Sequence, residues 1–298
     1  MLFRSTIPAA AWLPSAHADK WPVRPVKFVC PFAAGGATDM LSRIYAEHMS
    51  RALGSQMIVD NRTGAGGTVG LSAVERSSSD GYTVGMMTNG THIFSKALLP
   101  QMPYDTDKGF TYIAGLWDLP NVLVMHPSVP AQSVPELIQL LKANPDKYSF
   151  ASAGVGTSTH IAAELFCQAA GVKMTHVPYR GGAPANLDLL SGVVHLYFGN
   201  ITGSVENIKA GKVRALGVTS LQRNPALPDV PAVAEYLPGF ECTSWTGVAG
   251  PAGVPRAIAE TLEAATLKVL VDKELAQKFA RLGATPYVAK GADVKKRM

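Results

Sequence analysis

The chain has 298 residues, 47% of them hydrophobic and 16% charged; this balance excludes a disordered or fibrous chain, and the length exceeds what one small core needs. Two compact lobes are therefore the starting expectation. The net charge of +5 does not indicate nucleic acid, because Lys and Arg are scattered with no basic run among aromatics, and it reads as weak steering of anionic solutes.

In chain order, Arg4, the apolar stretch Ile7 to Leu13 and Ala16-His17-Ala18 form the charged, apolar and A-x-A parts of a secretory signal. Export is expected, with residues 1–18 as signal or tail and the mature chain starting near Asp19. Beyond them no apolar run of about 18 residues occurs, which argues against a transmembrane helix. Lys27 to Phe32 reads as a strand, Ala33-Ala34-Gly35-Gly36 as a glycine loop, and Leu41, Ile44, Tyr45, His48 and Ala52 as one helix face stopped by Gly54. The unit recurs as strand Met57 to Asp60, loop Gly64-Ala65-Gly66-Gly67, a helix through Val69 to Glu75 and strand Tyr82 to Met87. Strands alternating with helices imply a parallel, doubly wound sheet.

Strands Tyr112 to Gly115 and Asn121 to His126 follow, with a lobe crossing placed at the prolines after them, Pro127, Pro130 and Pro135. Ser133 caps an expected helix from Val134 to Ala143, ended by Asn144-Pro145. The second series opens with strand Tyr148 to Ala151, loop Gly154 to Thr157 and helix Ser158 to Ala170, with Ile161, Leu165 and Phe166 facing the core. Strand Thr175 to Pro178, a helix through Leu187 to Leu190, strand His195 to Phe198, helix Val205 to Ala210 and strand Val213 to Thr219 come next. Arg223 to Pro238 reads as a structured loop. Strand Glu241 to Ala249 is the expected return crossing, and helices Arg256 to Val271 and Lys273 to Leu282 pack back on the first lobe. The expected domains are 19–122 plus 246–298 for lobe 1 and 123–245 for lobe 2, a hinged pair.

The features that carry function are glycine loops between a strand end and a helix start, where free N–H groups and the helix dipole make an anion site. Gly35-Gly36-Ala37-Thr38-Asp39 is one and Gly156-Thr157-Ser158-Thr159 the other, one on each lobe. Gly64 to Gly70 imitates a dinucleotide fingerprint, but Val69 stands where the third glycine belongs and no acidic residue follows at the required place. No Gly-Lys-Ser/Thr follows any glycine run, and Ser158 lacks a GxSxG context. The seven histidines form no metal-ligand spacing, and the separated cysteines Cys30, Cys167 and Cys242 are expected as free buried thiols, with one disulfide left open. His160 is expected in a packing role and His126, His176 and His195 as satisfied core or edge residues. Asp39 is explained by capping and the dipole, and Glu164 by a helix surface. Tyr179 lines the cleft in this reading, while Arg180 either pairs with a ligand carboxylate or is simply solvated. Asn200, just past a strand, donates to a polar ligand.

Several ordered motifs resemble the solute-binding receptors of tripartite tricarboxylate transporters, the Bug family. They are Trp21-Pro22-Val23-Arg24-Pro25, Pro31 to Asp39, Asp60-Asn61-Arg62-Thr63-Gly64-Ala65-Gly66-Gly67, Asp80-Gly81-Tyr82-Thr83, Gly154 to His160, His176 to Gly181 and Leu227-Pro228-Asp229-Val230-Pro231. The resemblance spans about Trp21 to Pro255. It implies an α/β type II periplasmic binding protein fold, two doubly wound lobes joined by two crossing strands, which closes on a carboxylate gripped by backbone groups and ordered water. It also implies a further helix beyond Met298. Ala33 stands where the family often has proline, Cys30 where it has an apolar residue, and Gly199 where an acidic residue is frequent.

The expected ligand-binding set is Phe32, Ala33, Gly35, Gly36, Thr38, Asp39, Asn89, Ala153, Gly156, Thr157, Ser158, Tyr179, Arg180 and Asn200. No catalytic residue, metal or cofactor is expected. The function that follows is a monomeric, periplasmic, non-enzymatic receptor that delivers a small organic carboxylate to a membrane permease. A periplasmic sensor for a signalling partner and an α/β hydrolase or transferase are the alternatives.

Overall fold

The computed structural model describes residues 21–298; the expected signal at Arg4 to Ala18 and the start at Asp19 lie outside the described residues. β1 (Val26–Cys30), α1 (Ala37–Leu53), β2 (Met57–Asn61), α2 (Thr68–Glu75) and β3 (Thr83–Thr88) form the first strand-loop-helix series. β1 lies between β2 and β3 and runs parallel to both, with Val26 opposite Met57 and Lys27 opposite Thr83. A single π turn at Gly90–Phe94 then leads into α3 (Ser95–Leu98).

Where two strands were expected, one strand of 16 residues, β4 (Phe110–Met125), runs without a break. Pro120, which cannot donate to a ladder, sits where β4 changes partners. Up to Pro120, β4 pairs with β9 (Thr243–Pro251), and from Asn121 it pairs with β7 (Leu196–Asn200). The register with β9 shifts between Tyr112 and Ala114 and again between Gly115 and Asp118, irregularities that bend the strand as it passes from one sheet to the other.

The second series is α4 (Val134–Ala143), β5 (Ser149–Ser152), α5 (Ser158–Ala170), β6 (Thr175–Pro178), α6 (Gly182–Leu190), then β7, α7 (Ile201–Lys209) and β8 (Arg214–Val218). The chain returns through β9 to α8 (Arg256–Leu270), α9 (Lys273–Arg281), the short β10 (Thr285–Pro286) and α10 (Gly291–Lys296). The strand order is β2-β1-β3-β9-β4-β7-β5-β6, with β8 and β10 also on β4. Two parallel triplets, β2-β1-β3 and β7-β5-β6, are thus joined by two strands, each antiparallel to its neighbour in the triplet. This is the α/β two-lobed architecture the sequence implied. No helix among the described residues is long and apolar enough to cross a membrane.

Local chemistry explains the elements. Gly54 and Gly171 end α1 and α5 in the left-handed conformation, and Ser133 Oγ accepts the Glu136 N–H at 3.3 Å to start α4. Two core assignments change. On α1 the buried face is Leu41, Ser42, Tyr45, Ala46, His48 and Met49, and Ala52 is exposed. On α5, Ala162, Ala163 and Phe166 are buried while Leu165 is exposed, because small residues let that helix approach β7 closely. Trp117, in the middle of β4, is fully buried and meets Phe279 of α9 edge to face at 5.6 Å. That contact clamps the C-terminal helices onto the crossing strand. Phe279→Ala should therefore lower stability by about 3 to 5 kcal/mol, read as a shifted midpoint in denaturant unfolding; a loss below about 1 kcal/mol would show that α9 is not held there.

Candidate functional site

The first glycine loop turns on Gly35, whose φ of 77° favours glycine. Asp39 reaches back and holds the turn: its carboxylate accepts from the Gly35 N–H, Arg43 Nε and Asn61 Nδ2, each at 2.9 Å. Burial alone raises the Asp39 carboxyl, but the bonds from Arg43, Gly35 and Asn61 outweigh it and hold the pKa below its ordinary value. Asn61 Nδ2 also donates to the Phe32 carbonyl at 3.0 Å. The second loop is tied in the same manner. Thr157 Oγ1 donates to the Gly154 carbonyl at 2.7 Å, and Thr159 Oγ1 accepts the Ala153 N–H at 2.8 Å.

Between the loops, the two lobes form a cavity lined by Phe32, Ala37, Thr38, Thr88, Asn89, Ala153, Thr157, Ser158, Thr159, Gly182, Asn186, Tyr197, Asn200, Gly203 and Ser244. Four helices, α1, α5, α6 and α7, place first-turn residues in that lining, and none has a side-chain cap. The first N–H groups of a helix have no partner within it, so four sets of neutral donors and four positive dipole ends converge on one cavity. The lining contains no Asp, Glu, His, Lys, Arg or Cys. Tyr197 is its one phenol, and burial pushes it well above its ordinary value, so it stays neutral.

Asn121, fully buried on β4, organises one wall. Its Oδ1 accepts from Asn200 Nδ2 at 2.7 Å and from Ser158 Oγ at 3.4 Å, while its Nδ2 donates to the Ser158 carbonyl at 3.1 Å. One amide thereby fixes the end of β7 relative to the start of α5. Asn89 is held by donating to the Thr243 carbonyl at 3.0 Å and accepting the Gly90 N–H at 3.0 Å.

Of the residues expected from sequence, Phe32, Thr38, Asn89, Ala153, Thr157, Ser158 and Asn200 line the cavity. Ala33, Gly35, Gly36, Asp39, Gly156, Tyr179 and Arg180 lie outside that lining. Asp39 faces its own loop, as described. Tyr179 turns its hydroxyl onto Asp188 of α6 at 2.6 Å, and Arg180 is exposed with no partner among the described residues. Ala33, Gly36 and Gly156 instead form the seam where the lobes touch. A Cβ at Gly36 would lie 3.4 Å from Ala183 N, one at Gly181 would lie 2.8 Å from Ala33 N, and one at Gly156 would lie 3.3 Å from Ser95 Oγ. The glycine run that imitates a dinucleotide fingerprint belongs to the same seam, with Gly66 pressed against the Val155 carbonyl.

Thr88, Gly182, Asn186, Tyr197, Gly203 and Ser244 were missed, and Ala37 and Thr159, though part of the two loops read as anion sites, were left out of the expected ligand set. The signal that found α1 and α5 applies equally to β6–α6 and β7–α7, where a strand end also feeds a helix start without a capping side chain. Thr88 and Ser244 carry no such mark, since long-range pairing brings them there, Thr88 opposite Thr246 of β9 and Ser244 opposite Leu119 of β4.

The remaining titratable groups near the loops are inert or structural. The three cysteines are free, and burial pushes Cys30 and Cys167 up to about 11 and Cys242 to about 12. His126, His176 and His195 each bond a serine hydroxyl. His160 stacks on His176 at 4.3 Å, and its Nδ1 accepts the Gly156 N–H at 3.4 Å. Burial lowers both rings, with the neighbouring His160 adding to the effect on His176, which falls from 6.5 to about 4. The folded state thus binds fewer protons than the unfolded chain, so stability is present above pH 6.5 and is lost as pH falls toward 4. Thermal melts from pH 7 to 4 should show this decline, and His176→Gln should flatten it; an unchanged slope in the variant would remove the histidine pair as its cause.

A family model described as "Tripartite tricarboxylate transporter family receptor" matches residues 41–298. A protein of Pseudomonas sp. (strain P51), encoded in the tcbD-tcbE intergenic region, is 41% identical over 267 residues, 89% of this chain and 79% of that protein. Protein BugT of Bordetella pertussis is 35% identical over 274 residues, 91% of this chain and 84% of that one. Among solved structures, the periplasmic binding protein BugD superposes with a TM-score of 0.90 at 35% identity, covering 93% of each chain. A Rhodopseudomonas palustris protein solved with adipate gives 0.91 at 35% identity, also over 93% of each. MatC of the same organism, with bound malate, gives 0.88 at 32% identity over 93% of this chain and 96% of that one. The chain belongs to the tripartite tricarboxylate transporter receptor family.

Proposed function

We propose that this protein is a periplasmic receptor, monomeric and without catalytic activity, that closes on a small organic carboxylate and presents the closed form to a membrane permease. The observation that carries the reading is the convergence of four uncapped helix starts on a cavity with no charged side chain. Such a site holds an anion through neutral donors and dipoles, and it offers no nucleophile beside a base. The relatives solved with adipate and malate support the same ligand class. Lobe 1 is proposed as 19–122 plus 246–298 and lobe 2 as 123–245, with the hinge where β4 changes partners near Pro120 and where β9 begins.

Proline tests the donors without disturbing the fold. Ala37 and Ser158 are the first residues of α1 and α5, a position where proline is favoured, and both preceding residues are already extended. Each substitution deletes one N–H at the cavity. Calorimetric titration with adipate and malate should show that Ala37→Pro and Ser158→Pro each weaken binding by about 1.5 to 3 kcal/mol, roughly 10- to 150-fold, the range for a hydrogen bond to a charged group. Ser158→Ala separates loss of the hydroxyl from loss of the N–H. Arg180→Ala should change affinity by less than about 1 kcal/mol, the most a solvated ion pair contributes. If Arg180→Ala abolishes binding while both proline variants bind normally, a side-chain salt bridge holds the ligand and the helix-terminus reading is wrong. Conversion of the bound acid at a rate that tracks protein concentration would overturn the non-enzymatic reading.

A further inference from the structure

The C-terminal half of α1 meets the start of α9 at a place remote from the cavity. His48 lies ten residues beyond Thr38, about 15 Å further along the helix at 1.5 Å per residue. Its side chain is only 5% exposed. One contact fixes its tautomer: Nδ1 is 2.8 Å from the Ile44 carbonyl, which can only accept, so Nδ1 carries a proton. In the neutral ring Nε2 is then a lone pair, and among the described residues it has no hydrogen-bond partner. An orphaned buried acceptor is costly, and it needs an explanation.

The lone pair faces two carboxylates. Asp272 Oδ1 and Glu274 Oε2 each lie 3.9 Å from Nε2, beyond hydrogen-bond range, and the ligand atoms of all three side chains lie within 4.8 Å of one another. Asp272 Oδ1 accepts the Glu274 and Leu275 N–H groups as the cap of α9, and Glu274 Oε2 accepts from Arg51 at 3.4 Å, but no donor reaches His48 Nε2. Arg51 and Lys278 approach Glu274 at 3.4 and 2.7 Å, but they also serve Glu47, so two cations face three carboxylates and the cluster keeps net negative charge. The Asp272 and Glu274 side chains are 49% and 53% exposed, which gives an ion access from solvent and room for water in the remaining positions.

We propose that His48 Nε2, Asp272 and Glu274 form a binding site for a divalent transition-metal ion of the zinc class, at the junction of α1 and α9. One imidazole and two carboxylates are a normal donor set for zinc, with bonds near 2.0 to 2.2 Å that place tetrahedral ligand atoms about 3.3 Å apart. Closing to that spacing takes about 0.6 Å from 3.9 Å at the imidazole, and the two exposed carboxylates, which start within 4.8 Å of each other, close by up to about 1.5 Å. The second contact of His48, from Nδ1 to the Ile44 carbonyl, is the outer bond that orients metal-binding imidazoles. An ion here fastens α9 to α1 and leaves the cavity untouched.

The test is calorimetric titration of zinc chloride into chelator-treated protein at pH 7.5, in a buffer that does not bind metal. The expected result is one ion per chain with a raised melting temperature, and at least tenfold weaker uptake by His48→Gln, Glu274→Gln and Asp272→Asn. Asparagine retains the cap on α9, and Glu274 is exposed, so those two variants keep the test decisive if His48→Gln does not fold. Zinc-edge absorption should show one imidazole among oxygen donors. No saturable uptake by the unaltered protein, or equal uptake by Glu274→Gln and Asp272→Asn, overturns the proposal.

Discussion

The exchange of partners along β4 at Pro120 and Asn121 is the constraint on which the rest of the molecule depends. A strand has two edges, and β4 uses both in each lobe: β9 and β10 before the exchange, β7 and β8 after it. The lobes are thus joined through backbone hydrogen bonds of one continuous element. The relative position of the two glycine loops therefore follows from the bend in that strand. Asn121, the first residue past the exchange, spends its amide on Asn200 and Ser158 and carries the same constraint into the cavity wall.

Leaving helix starts uncapped costs stability, since a good capping side chain contributes about 1 kcal/mol. α4 and α9, away from the cavity, are capped by Ser133 and Asp272, whereas α1, α5, α6 and α7 are not. α2, α8 and α10 also start without a side-chain cap, so what sets α1, α5, α6 and α7 apart is that their free N–H groups open on the cavity. Asp39 and Thr159 show how the loops stay rigid without caps: each binds the loop from behind and leaves the helix end free.

Much of this was legible in the sequence because strand, glycine loop and helix starts are local signals. Helices such as Val134–Ala143 and Ser158–Ala170 follow from a cap, a periodic face and a stop. The unbroken β4 was not legible, because proline marks a break unless the change of partners around it is known. In the cavity, Thr38, Thr157 and Ser158 sit beside their own glycine loops and could be read, whereas Ser244 and Asn186 arrive through long-range pairing that no local pattern encodes. Tyr179 shows a related limit of local signals. Position after a strand says that a side chain is near a cleft, but only packing decides that Tyr179 turns to Asp188.

The seam at Gly36, Gly66, Gly154 and Gly181 brings main chain against main chain, with no side chain as a spacer. Any Cβ there is a wedge, so the depth to which the lobes approach is set by the peptide skeleton and is closed to gradual adjustment by substitution. Asn89, Asn186, Tyr197 and Ser244 are walls of another kind, since their side chains can be exchanged without prying the lobes apart. The molecule is consequently divided into an invariant clasp and an editable lining, and a change in what the cavity accepts can be drafted in the second without rewriting the first.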